Sequence, residues 1–296
     1  MGKIIVESVK SSCDIIIIIP VKDNQLGIER LLQSFFIHTP QAYYPKEIII
    51  VDNYSSPAIF LPENLHHSGL TISIEPCHKE GPSSARNKGA QLAAAKNAKW
   101  LLFIDSDCLF TETTISGYLD PTLGEALAYQ GEIKALGDDW LSQFYDNHRV
   151  LAAPYFVDQG IKRPIYLVTA NTLIYAPAFF EIGGFDESFK LAAEDVDMGY
   201  QLWKHGPLAY ANADVRHDFL NGEIHVKKNH VMELINRFKK YAAGDRPLYE
   251  KYGDTFINYA NTLLVDGDSE AENNPNIHTL LYMFLFFKLH LKCHNS

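Results

Sequence analysis

Two carboxylates, Asp105 and Asp107, follow directly on the apolar run Trp100-Leu101-Leu102-Phe103-Ile104. Such a run predicts a strand that is buried on both faces. Ligands of open α/β sheets bind just beyond the carboxyl ends of the strands, so both acids stand where a ligand site is expected. Closely spaced carboxylates bind hard divalent cations such as Mg²⁺ or Mn²⁺, often together with a substrate phosphate. The alternative for so short a pattern is an Asx turn that ends the strand.

Two earlier strands are predicted to end in the same way. Residues 14–21 contain five consecutive isoleucines and should form a central strand stopped by its proline, with Asp23 just beyond it. Residues 47–51 are a short β-branched strand followed by Asp52 and Asn53. Because the carboxyl ends of parallel strands share one edge of a sheet, we expect these polar residues to meet Asp105 and Asp107 there.

A Ser-rich turn opens the second predicted helix, whose Ala-rich body runs to about Asn97. Either Ser83 or Ser84 is expected to cap it, and Arg86 follows one turn later. Free backbone N–H groups at a helix start, together with an arginine, suit an anion such as a phosphate. An ordinary capped surface helix explains the same residues.

A second group of candidate residues lies near position 190. The turn Gly183-Gly184-Phe185-Asp186-Glu187 is followed by Ala193-Glu194-Asp195-Val196-Asp197, which opens another predicted helix. Carboxylates in the first turn of a helix are favoured by its dipole, so simple capping is the structural alternative to a catalytic role for Glu194 and Asp195.

The composition limits the classes of function. The chain has 296 residues, 47% of them hydrophobic, which is enough for a sizeable core. A net charge of -10 argues against a nucleic-acid partner. The four cysteines form no C-x-x-C pair, and no secretory signal is recognised at the N-terminus, so we expect a cytoplasmic protein with reduced thiols.

In this order and spacing, the motifs resemble those of the family 2 glycosyltransferases, which have the GT-A fold. The matching motifs are spread over residues 13 to 220 and are Pro20-Val21-Lys22-Asp23, Val51-Asp52-Asn53, Gly81-x-x-x-Ala85-Arg86-Asn87, Asp105-Ser106-Asp107, Gly183-Gly184-Phe185-Asp186 and Glu194-Asp195.

The resemblance implies an α/β fold with a mostly parallel, Rossmann-like sheet in one catalytic domain, residues 1–225. Residues 13–108 would form the nucleotide-sugar-binding half and 109–225 the acceptor-binding half, with 226–296 as a C-terminal helical extension.

The resemblance also implies roles for individual residues. Asp195 would be the catalytic base, and Asp107, Asp105 and His217 would hold Mn²⁺ or Mg²⁺. The residues implied for donor binding are Pro20, Val21, Asp23, Asp52, Asn53, Arg86, Asp105 and Ser106. Those assigned to the acceptor are Asn171, Gly184, Asp186 and Glu194, although turn chemistry explains Asn171 and Asp186 equally well.

The expected activity is a metal-dependent, inverting transfer of one sugar from a nucleotide-diphosphate sugar, with a UDP-sugar favoured, to a saccharide or lipid-linked acceptor. Gln201-Leu202-Trp203 does not reproduce the Gln-x-x-Arg-Trp pattern of processive synthases, which favours single transfer. The alternatives are a sugar-nucleotide-binding scaffold subunit without catalysis and a sugar nucleotidyltransferase.

The extension from 226 is basic at first and carries a helical stripe of Val231, Leu234, Ile235 and Phe238. We expect this stripe to pack on the catalytic domain. A peripheral contact with an anionic inner membrane face is the alternative. The late apolar run 280–287 has eight residues, too few for the ~20 of a spanning helix.

Overall fold

The computed structural model describes residues 8–65, 69–218 and 230–256. Its helices are α1 (Gln25–His38), α2 (Pro82–Ala95), α3 (Trp140–Asn147), α4 (Ala176–Glu181), α5 (Glu194–Trp203) and α6 (His230–Tyr252). Its strands are β1 (Ile15–Val21), β2 (Glu47–Asp52), β3 (Ile72–Pro76), β4 (Trp100–Ile104), β5 (Cys108–Phe110), β6 (Ala128–Ala135), β7 (Tyr155–Asp158), β8 (Ile161–Pro164), β9 (Asn171–Tyr175) and β10 (Leu208–His217).

One sheet forms the centre of the protein, with the strand order β3-β2-β1-β4-β9-β6-β10-β5. Strands β1, β2, β3 and β4 run parallel, and Ile17 stands level with Ile48 on one side and with Leu102 on the other. The five isoleucines of β1 are fully buried, as is the whole of β4. The expected α/β fold with a mostly parallel sheet is therefore confirmed, and the parallel strands open their carboxyl ends at one edge.

Pro20 lies inside β1 and does not stop it as expected. Its pairing with Val51 of β2 continues, whereas the ladder between β1 and β4 ends at Ile18. The carbonyl of Val21 faces β2, where it accepts a hydrogen bond from the Asn53 N–H. Successive residues of a strand face opposite neighbours, so an N–H at position 20 would face β4, where the ladder has already ended. The missing N–H of proline therefore costs no ladder bond.

The cap of α2 also differs from the expectation. Gly81, with a φ of 116°, is the N-cap, and Pro82 takes the first helical position. Ser83 and Ser84 thus lie inside the first turn, where both are buried. Proline is preorganised for the start of a helix, so it moves the boundary ahead of the serines.

The segment 165–169, predicted as a strand, has no regular secondary structure. The side chain of Gln130 replaces the ladder, because its carbonyl oxygen accepts from the Val168 N–H at 2.7 Å and its amide donates to the Val168 carbonyl at 3.3 Å. The nearby hairpin of β7 and β8 was not predicted from sequence, nor was β10.

Helix α6 packs on the segment that leads into α5. The side chains of Val231 and Leu234, two members of the predicted stripe, lie outside the described residues. Ile235 is 40% exposed, whereas Leu248 is 4% exposed and packs beside Phe189. No helix within the described residues is both long and apolar enough to cross a bilayer. The predicted boundary at 225 and the apolar run 280–287 lie outside the described residues.

Candidate active site

A single cleft of about 1170 Å³ opens at the carboxyl ends of β1 and β4. Asp107 and Asp195 both border it, although they belong to distant parts of the sequence. The other residues of its wall that were predicted as site residues are Pro20, Val21, Asn53, Arg86, Asp105, Ser106, Glu194 and His217. The parallel sheet thus brings most of the sequence motifs to one place.

Arg86 joins two of these motifs inside the protein. Its guanidinium donates to Asp105 at 2.7 Å and to Glu194 at 2.8 Å, and only 4% of the residue is exposed. It also lies over the ring of Phe185, at 5.7 Å from the centroid. Burial opposes the charged form, but the two carboxylates outweigh burial and raise the pKa of Arg86. The arginine is therefore a fixed positive charge beside both Asp105 and Asp195.

Asp195 is a half-buried residue in the first turn of helix α5. Its carboxylate accepts from its neighbour Val196 N–H at 2.9 Å and, at 3.4 Å, from Thr169 N–H. Burial and the negative charge of Glu194 raise the pKa of Asp195 to about 7, although Arg86 partly opposes them. A carboxylate with this pKa exchanges protons near neutral pH, which is the property that a general base needs.

Asp107 and His217 come together because β5 and β10 pair antiparallel. Asp218 N–H donates to the Asp107 carbonyl at 2.7 Å, and His217 Nε2 lies 3.5 Å from Asp107 Oδ1. Oδ1 of Asp107 and Nδ1 of His217 are buried atoms that make no hydrogen bond within the described part of the chain. A buried carboxylate oxygen and an imidazole nitrogen are a suitable pair for a divalent metal such as Mn²⁺.

Cys108 lies beside this pair, since one ligand atom from each of the three residues falls within 4.8 Å of the others. Burial raises the pKa of its thiol well above the ordinary value, so the sulfur stays protonated at neutral pH. A protonated thiol is a poor metal ligand. The oxygen and nitrogen donors of Asp107 and His217 therefore fit a hard or borderline cation better than a soft one.

Two predicted donor-binding acids, Asp52 and Asp23, do not border the cleft. The carboxylate of Asp52 accepts from Ser55 N–H and Ile59 N–H, each at 3.0 Å, and Asp23 accepts from Ser56 N–H at 2.8 Å. They shape the loop after β2. Asn53, in contrast, borders the cleft and accepts from the Gly81 N–H at 2.8 Å, which joins the loop to the start of α2.

Of the four residues predicted for the acceptor, Glu194 alone borders the cleft. Asn171 is fully buried and its amide donates to the carbonyl of Ala213 at 2.7 Å, so it ties β9 to β10. Gly184 has a φ of 76°, which suits glycine, and a Cβ added there would meet Asn87 at 2.7 Å.

Asp186, the fourth, accepts from Lys251 of α6 at 2.7 Å. Although burial acts in the opposite direction, hydrogen bonds from Lys251 and Ser188 lower the pKa of Asp186 to about 2. Its carboxylate is therefore committed to holding α6.

Sequence patterns did not indicate two further parts of the wall. One is the segment that follows α3, and the other is the inward face of α6. The first contributes His148, Arg149, Val150, Leu151 and Ala152, and the second contributes Asn236, Arg237, Phe238, Lys240, Tyr241, Asp245, Leu248 and Tyr249. The excess of basic residues in α6 was a signal for an anionic ligand, although it did not show which residue faces the cleft.

Proteins of similar structure share the fold. S. aureus TarS 1-349 matches with a TM-score of 0.52 at 14% sequence identity over 88% of this chain and 68% of that chain. The mannosyltransferase PcManGT from Pyrobaculum calidifontis matches with a TM-score of 0.51 at 13% identity, over 95% of this chain and 84% of that chain.

Two relatives found by sequence match different shares of this chain. The pre-mycofactocin glycosyltransferase of Mycobacterium tuberculosis is 25% identical over 252 residues, which are 81% of this chain and 48% of the relative. The validoxylamine A glucosyltransferase of Streptomyces hygroscopicus subsp. jinggangensis is 29% identical over 153 residues, 42% of this chain and 35% of the relative. The chain thus spans about half the length, or less, of the curated relatives it matches.

Family models agree with this grouping. The model of glycosyl transferase family 2 matches residues 16–176, which run from the second residue of β1 to the end of β9 and include the acids after β4. The model of glycosyl transferase family group 2 matches residues 100–291. The match to the family 2 model covers more than half of the sequence, including β1 and β4, whose carboxyl ends form the cleft. The chain therefore belongs to glycosyl transferase family 2.

Proposed function

We propose that the protein transfers one sugar from a nucleotide-diphosphate sugar to an acceptor hydroxyl, with inversion at the anomeric carbon. The observation that carries this proposal is the shared cleft. The pair Asp107 and His217 lies in it together with Asp195, a carboxylate whose pKa suits proton transfer. A leaving-group site and a base in one cleft are the two requirements of a direct displacement.

The donor end of the cleft is the part near β1 and β4. Asp107 and His217 would hold a divalent cation, Mn²⁺ or Mg²⁺, which when bound neutralises charge on the departing diphosphate. Pro20, Val21 and Asn53 border the same part of the cleft and offer a wall for the nucleoside.

Arg86 keeps the acids of this region in place. It holds Asp105 and Glu194 by two charged hydrogen bonds, so both carboxylates have fixed positions in the wall of the cleft. A positioned charge costs no reorganisation when the reaction occurs, which favours catalysis.

Asp195 would receive the acceptor proton. As the acceptor oxygen forms its bond to the anomeric carbon, the bond from that carbon to the diphosphate oxygen breaks, and the electron pair leaves with the diphosphate. The hydroxyl proton moves to Asp195, a role worth roughly 10²- to 10⁴-fold in rate. One displacement from the face opposite the leaving group gives inversion.

Donor and acceptor are proposed as classes of compound. Structures of similar fold were obtained for TarS 1-349 with UDP and for PcManGT with GDP-Man and Mn²⁺. We favour a UDP-sugar for this protein and treat a GDP-sugar as the competing donor. The acceptor proposed is a saccharide, free or lipid-linked.

A donor panel tests the proposal. UDP- and GDP-sugars are incubated with the protein and Mn²⁺, and the release of free nucleoside diphosphate is measured with and without saccharide acceptors. We expect release from at least one donor, with Asp195→Asn binding that donor normally but turning it over at least about 100-fold more slowly. Donor binding without any release by the wild-type protein would instead support a sugar-nucleotide-binding subunit, and normal turnover by Asp195→Asn would remove its role as base.

A further inference from the structure

Helix α6 approaches the segment before the proposed base more closely than a side chain would allow. A Cβ added to Gly244 would lie 2.7 Å from the carbonyl oxygen of Ala192, and Gly244 is itself buried. Ala192 precedes Ala193, Glu194 and Asp195, which border the cleft. The backbone of α6 therefore packs directly on the backbone that carries the base.

The C-terminal end of α6 is anchored by charged groups. Lys251 Nζ lies 2.7 Å from Asp186 Oδ2 and 2.9 Å from Asp197 Oδ1. Tyr252 donates its hydroxyl proton to Asp197, whose side chain is 3% exposed. A buried carboxylate with two partners fixes the position and the rotation of the helix.

Arg237 lies on the same side of α6, about four helical turns and about 20 Å before Lys251. It borders the cleft, as Asp107 and His217 do. Its guanidinium donates to the hydroxyl of Tyr241 at 3.3 Å and lies over the ring of Tyr145, 5.5 Å from the centroid. Both contacts are with neutral groups, so they orient the guanidinium without neutralising its charge.

The charge of Asp107 acts on Arg237 as well. Burial lowers the pKa of Arg237, but Tyr241, Tyr145 and Asp107 together raise it, so the side chain stays charged. A positive charge that faces a cleft, and that neutral aromatic groups hold in place, is suited to binding an anion.

We propose that Arg237 binds the terminal phosphate of the nucleoside diphosphate in the cleft that Asp107 and His217 also border. The inference rests on the proposed function and deepens it, because α6 would supply a second positive charge to the leaving group. Guanidinium groups match phosphate oxygens in a planar, two-bonded geometry. The residue is thus expected to distinguish a diphosphate from a monophosphate.

The test compares Arg237→Gln with wild type and with Lys239→Gln. Lys239 is an exposed residue of the same helix and does not border the cleft, so its substitution removes the same charge without touching the site. Affinities for UDP, UMP, GDP and GMP are measured by calorimetry in Mn²⁺. For the nucleoside diphosphate that binds to wild type, we expect Arg237→Gln to lower the affinity by about 10- to 100-fold. The affinity of Arg237→Gln for the corresponding monophosphate should stay within about twofold of wild type. Lys239→Gln should bind both nucleotides as wild type does.

The outcomes separate the inference from the proposed function. An unchanged diphosphate affinity in Arg237→Gln, or an equal loss for diphosphate and monophosphate, overturns the role of Arg237 and leaves the proposed function standing. Absence of any nucleoside diphosphate binding by the wild-type protein overturns the proposed function itself. Arg237→Lys keeps the positive charge but loses the two parallel N–H donors of the guanidinium. A diphosphate affinity between those of wild type and Arg237→Gln, or simply below wild type if Arg237→Gln folds poorly, therefore supports the two-bonded contact.

Discussion

Glu194 Oε1 accepts a 2.8 Å hydrogen bond from Nη1 of Arg86, which stands 108 positions earlier in the chain. This contact joins the start of α5, which carries the proposed base, to α2 and the carboxyl edge of the sheet. Both residues are almost completely buried, at 4% and 7% exposure. The two halves of the cleft are thus held together by a charged pair away from water.

Arg86→Met is expected to destabilise the protein by about 3–5 kcal/mol, because it leaves the Glu194 charge buried without its partner. Urea unfolding monitored by tryptophan fluorescence measures the loss. Lys88→Met is the matched control on the same helix, at a half-buried position, and should change the free energy of unfolding by less than about 1 kcal/mol. A stability of Arg86→Met within that range would show that the buried pair contributes little.

Asp195 should make stability depend on pH. The pKa of Asp195 is raised from 3.8 to about 7 on folding, so the folded state holds the proton more tightly and loses stability as pH rises through that window. Asp195→Asn lacks this titration. We expect the melting temperature of Asp195→Asn, relative to that of wild type, to increase between pH 5 and pH 8 when both are measured in EDTA. A constant difference across this range would contradict the raised pKa.

The sequence predicted the parts of the fold that depend on local pattern. The isoleucines of β1 and the apolar run of β4 mark buried strands. The acids after β4, Asp105 and Asp107, border the cleft, whereas Asp23 after β1 does not. Two kinds of feature were missed. The backbone N–H of Val168 donates to the side chain of Gln130 instead of to a neighbouring strand. The hydrophobic periodicity of the sequence does not reveal such a contact. The bond between Arg86 and Glu194 depends on how distant segments pack, and so does the inward face of α6.

Asp107→Asn and His217→Gln should each weaken Mn²⁺ binding by at least about tenfold, the loss typical even for outer partners of a metal. Each substitution removes one of the two donor atoms, Asp107 Oδ1 and His217 Nε2, which lie 3.5 Å apart. Titration followed by electron paramagnetic resonance of free Mn²⁺ gives the affinity without requiring turnover. Asp138→Asn, at an exposed site away from the cleft, serves as control and should bind like wild type. Equal affinities for all four proteins would place the metal elsewhere.

The anchor of α6 should weaken in acid. Hydrogen bonds from Lys251 and Ser188 lower the pKa of Asp186 from 3.8 to about 2 despite its burial. The stability that this carboxylate contributes is present above pH 4 and is lost as pH falls toward 2. Asp186→Asn should therefore melt below wild type at pH 7, with a difference that shrinks between pH 4 and pH 2. A difference that stays constant with pH would mean that the carboxylate charge plays no part in the anchor.

Gly244 offers a test in which helix propensity and packing predict opposite signs. Alanine in a helix interior is favoured over glycine by about 0.8–1 kcal/mol, so Gly244→Ala would stabilise an unobstructed helix. Here the added Cβ would meet the Ala192 backbone at 2.7 Å, and α6 has to move. We expect a loss of about 1–3 kcal/mol in unfolding free energy, as in overpacked cores, together with weaker nucleoside diphosphate binding.

The control is Ala243→Val, which adds bulk at the neighbouring exposed position and should leave nucleotide affinity unchanged. If the shift of α6 acts by withdrawing Arg237, the double variant Gly244→Ala with Arg237→Gln will bind the diphosphate no more weakly than Arg237→Gln alone. Additive losses would mean that Gly244 and Arg237 influence the cleft separately. A gain in stability for Gly244→Ala would show that α6 does not pack on Ala192 in solution, and that the close contact is not what positions the helix.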